Sequence, residues 1–356
     1  MKQSTIVCLT AVLVLAIGAP MPSAIAQDAD WQKVVAAGKK EGVVVAASSS
    51  LSGKAAVAAM NAFKEKYGIS LELFTGRMAV AQEKIQMEQK SKSYVTDAMD
   101  SGGMNVLLLK KAGYLQSVAG ALPVLKEKDK FSHPVTEDPE AEMLNILEIY
   151  TFVCVNTNLV KPGEEPKSWH DLLDPKWKGK IMLTNPQYAT APEEQMLAFT
   201  KGNTGLDENF FIKLYKNAAV GGTGGGDEVM DKVVRGEIAV GGFFPGATAL
   251  KPMRAGAPIK PLDLREGYLS KPMKWGAIKN APHLNATKVY INWFLSKEGQ
   301  TLVSKQTDLE SVRNDVPSPL PFRFKAPTVR LTFQDLALAE ERRSKNYMAN
   351  LLGLKR

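Results

Sequence analysis

Short apolar runs alternate with amphipathic segments along the first third of the chain. Val43–Ala47 and Ile69–Phe74 are typical of strands, and Met78–Ser91 has the 3.6-residue spacing of a helix. A helix is also expected over Ala55–Tyr67, between the two strands. A strand, a helix and a second strand in this order predict a parallel sheet with a right-handed crossover.

The same pattern continues to the C-terminus. Further strands are predicted over Tyr94–Met99, Ile146–Thr157 and Trp275–Lys279. Further helices are predicted over Trp31–Glu41, Met104–Ala112, Ala191–Thr200, Asn209–Asn217, Ala286–Ser304 and Asp335–Leu352. The run ILEIYTFVCVNT is long enough to cross between two lobes, so we expect an α/β chain with two lobes.

The N-terminus has the three parts of a secretory signal peptide. Lys2 precedes an apolar run from Ile6 to Ala19, and Ala24-Ile25-Ala26 supplies the small residues of a cleavage site. We therefore predict a signal peptide over residues 1–26 and an exported protein. The alternative is an uncleaved membrane anchor.

Composition narrows the classes of partner. The formal net charge of +8 suits an anionic ligand. The lysines are scattered and no run interleaves arginines with aromatic residues, so no nucleic-acid partner is expected. Cys154 alone would remain after removal of the signal peptide, and it is expected to be a buried apolar residue in a chain without disulfides.

Sequence signatures of an enzyme or a metal site are missing. The sequence contains no H-E-x-x-H and no G-x-S-x-G, and Gly53-Lys54 is followed by Ala55 where a phosphate-binding loop needs Ser or Thr. Its three histidines are far apart in sequence, and none is grouped with carboxylates. We predict a protein that is not an enzyme and holds no metal or cofactor. An exported enzyme whose site forms only in the folded chain is the rival class.

Turns between strands and helices are the predicted ligand site. Four of them stand at strand ends, at Ser48–Gly53, Ser101–Gly103, Tyr188–Thr190 and Gly222–Gly226. In an open α/β sheet such turns present unpaired N–H groups and the positive end of a helix dipole to a ligand. Two fall in each half of the chain, so one ligand held between the halves is expected to contact all four. The alternative for the serine turn is a well-capped helix.

Several segments resemble one family of transport proteins. SWHDLLDPKWKGKI, VNTNLVKPGEEPKSW, VVRGEIAV and INWFLSKEGQTLV together make the chain similar to the type II solute-binding proteins of ABC importers, in the group that includes ferric-ion binders. The resemblance implies a type II periplasmic-binding-protein fold in which hinge strands join two lobes around a ligand cleft. It also implies a periplasmic location and delivery of the ligand to a membrane permease.

The sequence departs from the ferric members where their iron ligands lie. The resemblance places two adjacent tyrosines at the positions of Phe243 and Phe244, and phenylalanine has no oxygen for a metal. The family's first-lobe histidine or tyrosine is replaced by Ser48-Ser49-Ser50. We therefore predict a small anionic organic solute, which is a carboxylate, a phosphonate or a phosphate ester. A ferric-iron carrier with non-tyrosine ligands is the alternative.

Arg77 and the serine turn are the expected anchor for the anion, with a surface arginine as the alternative for Arg77. Phe243 and Phe244 either pack the ligand body or fill the core. The candidate ligand-binding residues are Ser48, Ser49, Ser50, Arg77, Ser101, Gly102, Tyr188, Thr190, Thr223, Gly224, Phe243 and Phe244. Lobe 1 is predicted to comprise residues 27–145 and 262–305, and lobe 2 residues 146–261 and 306–356. We expect a monomer.

Overall fold

A computed structural model describes the backbone of residues 23–354 and the side chains of residues 29–354. Residues 1–22, which are most of the predicted signal peptide, lie outside the described residues. No helix in the described part of the chain is both long and apolar enough to cross a membrane.

The described residues form twelve strands and twelve α-helices. The strands are β1 (Val43–Ser48), β2 (Ser70–Phe74), β3 (Ala98–Ser101), β4 (Leu115–Gln116), β5 (Leu144–Asn156), β6 (Ile181–Leu183), β7 (Ala219–Val220), β8 (Val240–Pro245), β9 (Ile259–Pro261), β10 (Tyr268–Ile278), β11 (Glu310–Ser311) and β12 (Thr328–Arg330). The helices are α1 (Ser23–Glu41), α2 (Gly53–Tyr67), α3 (Met78–Ser91), α4 (Met104–Lys111), α5 (Ala191–Lys201), α6 (Glu208–Asn217), α7 (Gly225–Val234), α8 (Gly246–Arg254), α9 (Leu284–Leu295), α10 (Lys297–Thr307), α11 (Phe333–Ser344) and α12 (Tyr347–Leu351).

Two similar α/β units share the long strands β5 and β10. In the first, the strand order is β2-β1-β3-β10-β5, and β1 is parallel to both β2 and β3. In the second, β6 lies between β7 and β8 in parallel, and β8 pairs antiparallel with β5. Strands β5 and β10 pair antiparallel over Leu144–Thr151 and pass from one unit to the other. This is the two-lobe α/β arrangement expected from the sequence. The crossing was expected of β5 alone; β10 pairs with it and is shared by both units, and we call these two the hinge strands.

Buried apolar side chains explain why these strands form. Val44, Ala46 and Ala47 of β1 are at most 4% exposed, and helices cover both faces of the first sheet. A strand buried on both faces reads as a continuous apolar run, which made β1 visible in the sequence. Cys154 is fully buried in β5, as expected, and is a free cysteine among the described residues.

Two predicted helices are each broken into a pair. The helix expected over 286–304 stops at Leu295, because Ser296 is extended and its hydroxyl caps the next helix by accepting the N–H of Gly299. A Cβ at Gly299 would lie 2.1 Å from the carbonyl oxygen of Trp293, so only glycine fits this bend. The helix expected over 335–352 is interrupted at Asn346, whose φ is +49°.

Two predicted strands have wrong bounds. Strand β3 begins at Ala98, not Tyr94, and β10 begins at Tyr268, seven residues before the expected Trp275. Strand β10 contains Lys271, Pro272 and Lys274, which interrupt its apolar pattern. Apolar periodicity therefore did not predict its first part.

Candidate functional site

The serine turn after β1 binds a carboxylate of the protein itself. Oδ1 of Asp100 accepts the backbone N–H of Ser49 at 3.0 Å and of Ser50 at 2.9 Å. Asp100 is the neighbour of Ser48 in the pairing of β3 with β1, and it is 2% exposed. Burial raises the pKa of Asp100, while hydrogen bonds from the hydroxyls of Ser48 and Ser50 and from the two N–H groups act against that increase.

The three serines of this turn differ in their exposure to solvent. Ser48 and Ser50 are buried, and the Ser48 hydroxyl also accepts the N–H of Leu51 at 3.0 Å. Ser49 is exposed, and its hydroxyl remains available to a ligand. The first N–H groups of α2 lie on the same turn, and the Ser52 side chain does not cap them.

The glycine turn before α7 also contacts an internal carboxylate. Oε2 of Glu228 accepts the N–H of Gly224 at 3.2 Å, and hydrogen bonds from the Gly222 and Gly224 N–H groups lower the pKa of Glu228. Thr223 and Gly224 are exposed. The Thr223 hydroxyl is therefore the group of this turn that stays open to a ligand.

Arg77 lies three residues after the end of β2 and immediately before α3. Its side chain is exposed and makes no hydrogen bond or ion pair among the described residues. The ring of Phe74, which is 46% exposed, lies over Gly76 in the same turn. An unpaired guanidinium beside an exposed aromatic ring is suited to an anion that carries a short organic body.

The turn at Ser101–Gly103 lies against a cation that the sequence analysis missed. Ser101 is buried, and its hydroxyl accepts the N–H of Gly103 at 3.2 Å. A Cβ at Gly102 would lie 3.8 Å from Nζ of Lys271, which donates to Oε2 of Glu194 at 2.5 Å. Lys271 is on hinge strand β10 and Glu194 is in the first turn of α5, so this ion pair joins the hinge to lobe 2 beside a lobe 1 turn.

A second set of buried charges lies further along β10. Nζ of Lys274 is 3.1 Å from Oε2 of Glu137, and Arg330 contacts both Glu137 and Glu148. Burial lowers the pKa of Lys274, and Glu137 acts against that decrease. Since Glu148 is on β5 and Arg330 on β12, this network connects both hinge strands.

In lobe 2 the predicted turn after β6 is partly open to solvent. Tyr188 is 57% exposed and Thr190 is half-buried before α5. The Thr190 side chain does not cap α5. In the described part of the chain, no hydrogen bond or ion pair connects this turn to Ser49 or Arg77 across the cleft.

Both phenylalanines lie in the core. Phe243 is 1% exposed, and its ring stacks on Trp169 with centroids 5.8 Å apart. Phe244 is fully buried against Phe152. Both rings are therefore packed in the core, which is one of the two alternatives stated for them. Phe243 has a φ of +64°, a conformation that costs a bulky residue about 1–3 kcal/mol.

The described residues contain no group of three or more His, Cys, Asp or Glu side chains arranged to hold a metal ion. The pair Phe243-Phe244 offers no oxygen ligand either. The polar groups at the predicted turns include hydroxyls and N–H groups, the cations Lys271 and Arg77, and the carboxyl groups of Asp100, Glu228 and Glu194, which already accept hydrogen bonds from the protein.

The family model for bacterial extracellular solute-binding proteins matches residues 58–322. The chain belongs to this family. Among curated relatives of this solute-binding protein, one from Haemophilus influenzae without an assigned function is 32% identical over 199 residues, which cover 53% of this chain and 57% of the relative. A Salmonella typhi protein named as a putative 2-aminoethylphosphonate-binding periplasmic protein is 31% identical over 193 residues, 52% of this chain and 56% of that protein. The matched region thus spans about half the length of these relatives.

Solved structures share the fold of this solute-binding protein along nearly their whole length. Iron-bound HitA from Pseudomonas aeruginosa has a TM-score of 0.69 at 18% identity, over 87% of this chain and 99% of that one. AfuA from Actinobacillus pleuropneumoniae with fructose-6-phosphate has a TM-score of 0.68 at 20% identity, over 88% and 99%. At these identities the likeness establishes the two-lobe type II fold only.

Three functional candidates were not visible to sequence reasoning. Asp100 and Lys271 lie inside strands, and Glu194 lies in an otherwise buried helix. Asp100 could have been found from the sequence. In a sheet with the strand order β2-β1-β3, the end of β3 lies next to the end of β1, so a carboxyl group there is predicted to contact the serine turn.

Proposed function

We propose that this chain is the periplasmic substrate-binding component of an ABC importer. In this proposal it binds a small anionic organic solute by closure of its lobes and delivers the solute to a membrane permease without chemical change. Family membership and the two-lobe fold support the importer role. The predicted signal peptide supports the periplasmic location.

The observation that carries the choice of an anion is the pair of cations next to the cleft turns. Arg77 is exposed and unpaired in the described structure, and Lys271 lies between Gly102 and Glu194. An ammonium group has three donors, and a single bond to Glu194 leaves donors for a ligand oxygen. Phosphonates are the first class to test, because a relative is named for 2-aminoethylphosphonate.

A binding screen of the purified exported protein tests the proposal. Thermal shift and calorimetry would compare 2-aminoethylphosphonate, fructose-6-phosphate and citrate with ferric citrate. We expect stabilisation by an organic anion without iron. Stabilisation by iron alone would contradict the proposal, and chemical conversion of a bound solute would favour the rival enzyme class.

Arg77→Ala is expected to weaken anion binding about 10- to 100-fold, because the charged hydrogen bonds of the guanidinium contribute roughly 1.5–3 kcal/mol. The fold should be unaffected, since the Arg77 side chain has no partner in the described structure. Arg235→Ala is the matched control, because Arg235 follows α7 at the end opposite the cleft turn and pairs with exposed Glu237. Equal affinities of the two variants would remove Arg77 from the site.

A further inference from the structure

A cavity of about 310 Å³ lies between the lobes beside the candidate site. Helix α4 of lobe 1 contributes Met104 and Leu108, lobe 2 contributes Pro186, Gln187 and Glu193, and helices α11 and α12 close the remaining side. This volume is at the lower end of the range for small-molecule pockets.

The walls of this cavity continue the predicted ligand turns. Met104 is two residues after Gly102, Gln187 immediately precedes Tyr188, and Glu193 is three residues after Thr190. The cavity therefore adjoins one turn of lobe 1 and one turn of lobe 2, and a ligand held between those turns reaches it.

Glu193 is the unusual residue of the lining. It is 4% exposed, and its Oε1 has no hydrogen-bond partner among the described residues. The nearest cation, Arg342, lies 3.8 Å from Oε1 and bonds instead to Glu208 at 3.1 Å. Burial raises the pKa of Glu193 to about 7. Arg342 and the Met348 N–H act against this rise, and Glu208 and Glu194 add to it.

Most other charges around the cavity are already paired. Glu340 pairs with Lys111, Arg342 with Glu208, and Glu194 with Lys271, while the Tyr347 hydroxyl donates to Glu208. Arg343 lines the cavity and makes no ion pair within the described part of the chain. The first turns of α4 and α5 add partial positive charge. With Glu193 neutral, the cavity is therefore positive, whereas an ionised Glu193 would repel an anion.

We propose that this cavity holds the anionic group of the solute and that Glu193 carries a proton whenever the cavity is occupied. The protonated carboxyl places no negative charge beside the anion, and one proton is taken up from water for each solute bound at high pH. This inference rests on the proposed function and names the residue that couples its binding step to pH.

Glu193→Gln tests the proposal, because the amide is uncharged at every pH and keeps an acceptor for the Met348 N–H. Calorimetry from about pH 6 to about pH 8.5 would use two ligands, 2-aminoethylphosphonate and sulfate. The charge of sulfate is constant in this range. In the unmodified protein the Kd for sulfate should rise about tenfold per pH unit above 7, to about 30-fold at pH 8.5. In the variant the Kd for sulfate should not change with pH. The phosphonate itself titrates in this range, but it does so equally with both proteins. The ratio of the two proteins' Kd values for the phosphonate therefore reports the effect of Glu193 alone.

Glu341→Gln is the matched control, since Glu341 lies on α11, is exposed and pairs with Lys345 at 2.7 Å. It removes the same formal charge outside the cavity and should keep the pH dependence of the unmodified protein. Equal pH profiles for the unmodified protein and Glu193→Gln would overturn this inference and leave the proposed function standing. A Kd for sulfate that falls as the pH rises would mean that no group of the cavity must be protonated to bind the anion, and it would also overturn the inference. If neither anion bound at pH 6, this inference would be overturned, whereas the proposed function would fail only if the wider screen of organic anions also found no ligand.

Discussion

Replacing Asp100 by alanine is expected to lower the free energy of unfolding by about 2–4 kcal/mol. The change leaves the Ser50 N–H without an acceptor and the Ser49 N–H with only its 3.4 Å bond to the main-chain carbonyl oxygen of Asp100, and each unsatisfied group costs about 1–3 kcal/mol. The serine turn should loosen with it, so solute binding should weaken as well. Urea unfolding followed by circular dichroism measures the first effect and calorimetry the second.

Asp100→Asn is the control, because its amide oxygen still accepts both N–H groups and should preserve most of the stability. Its pH dependence is also informative. Burial raises the pKa of Asp100, so the native protein holds this proton to a higher pH than the unfolded chain does, and ionisation costs stability as the pH rises above the unfolded value. Asparagine lacks that cost, so the free energy of unfolding of the variant should gain on that of the unmodified protein as the pH rises above about 4, the unfolded-state pKa of an aspartate. An alanine variant as stable as the asparagine variant would show that the carboxylate does not hold the turn.

Apolar periodicity was sufficient for the scaffold. It placed β1, α2, α3 and α4 within two residues of their bounds, because strands buried on both faces and helices with one buried face leave different spacings in the sequence. It failed where polar side chains or a single bend in the backbone set the bounds of a strand or helix. Ser296 and Asn346 break helices through local backbone conformation, and neither leaves a gap in the apolar pattern.

The site was less predictable than the scaffold, because its partners are distant in sequence. The serine turn was expected to bind an anionic solute, and its N–H groups donate to the carboxyl group of Asp100, which lies 50 residues further along the chain than Ser50. Lys271 is separated from Glu194 by 77 residues. Contacts between residues so distant in sequence depend on the order of the strands in the sheet, which cannot be predicted from a single sequence. The contacts of a solute with the predicted residues stay a proposal.

Lys271→Met is expected to destabilise the protein by about 3–5 kcal/mol and to weaken solute binding. The lysine and Glu194 side chains are 10% and 3% exposed, so removal of the cation leaves a buried carboxylate without its partner. Loss of stability alone would not assign Lys271 to the site, because any broken buried ion pair has that effect.

The double variant Lys271→Met with Glu194→Gln separates the two roles. Without the carboxylate there is no unpaired buried charge, so most of the lost stability should return. Solute affinity should not return, because the ammonium beside Gly102 is still missing. Thermal unfolding measures the first quantity and calorimetry the second, with Glu194→Gln alone as the reference. Recovery of both would show that Lys271 only neutralises Glu194, whereas recovery of stability without affinity is the result expected of a lysine that contacts the anion.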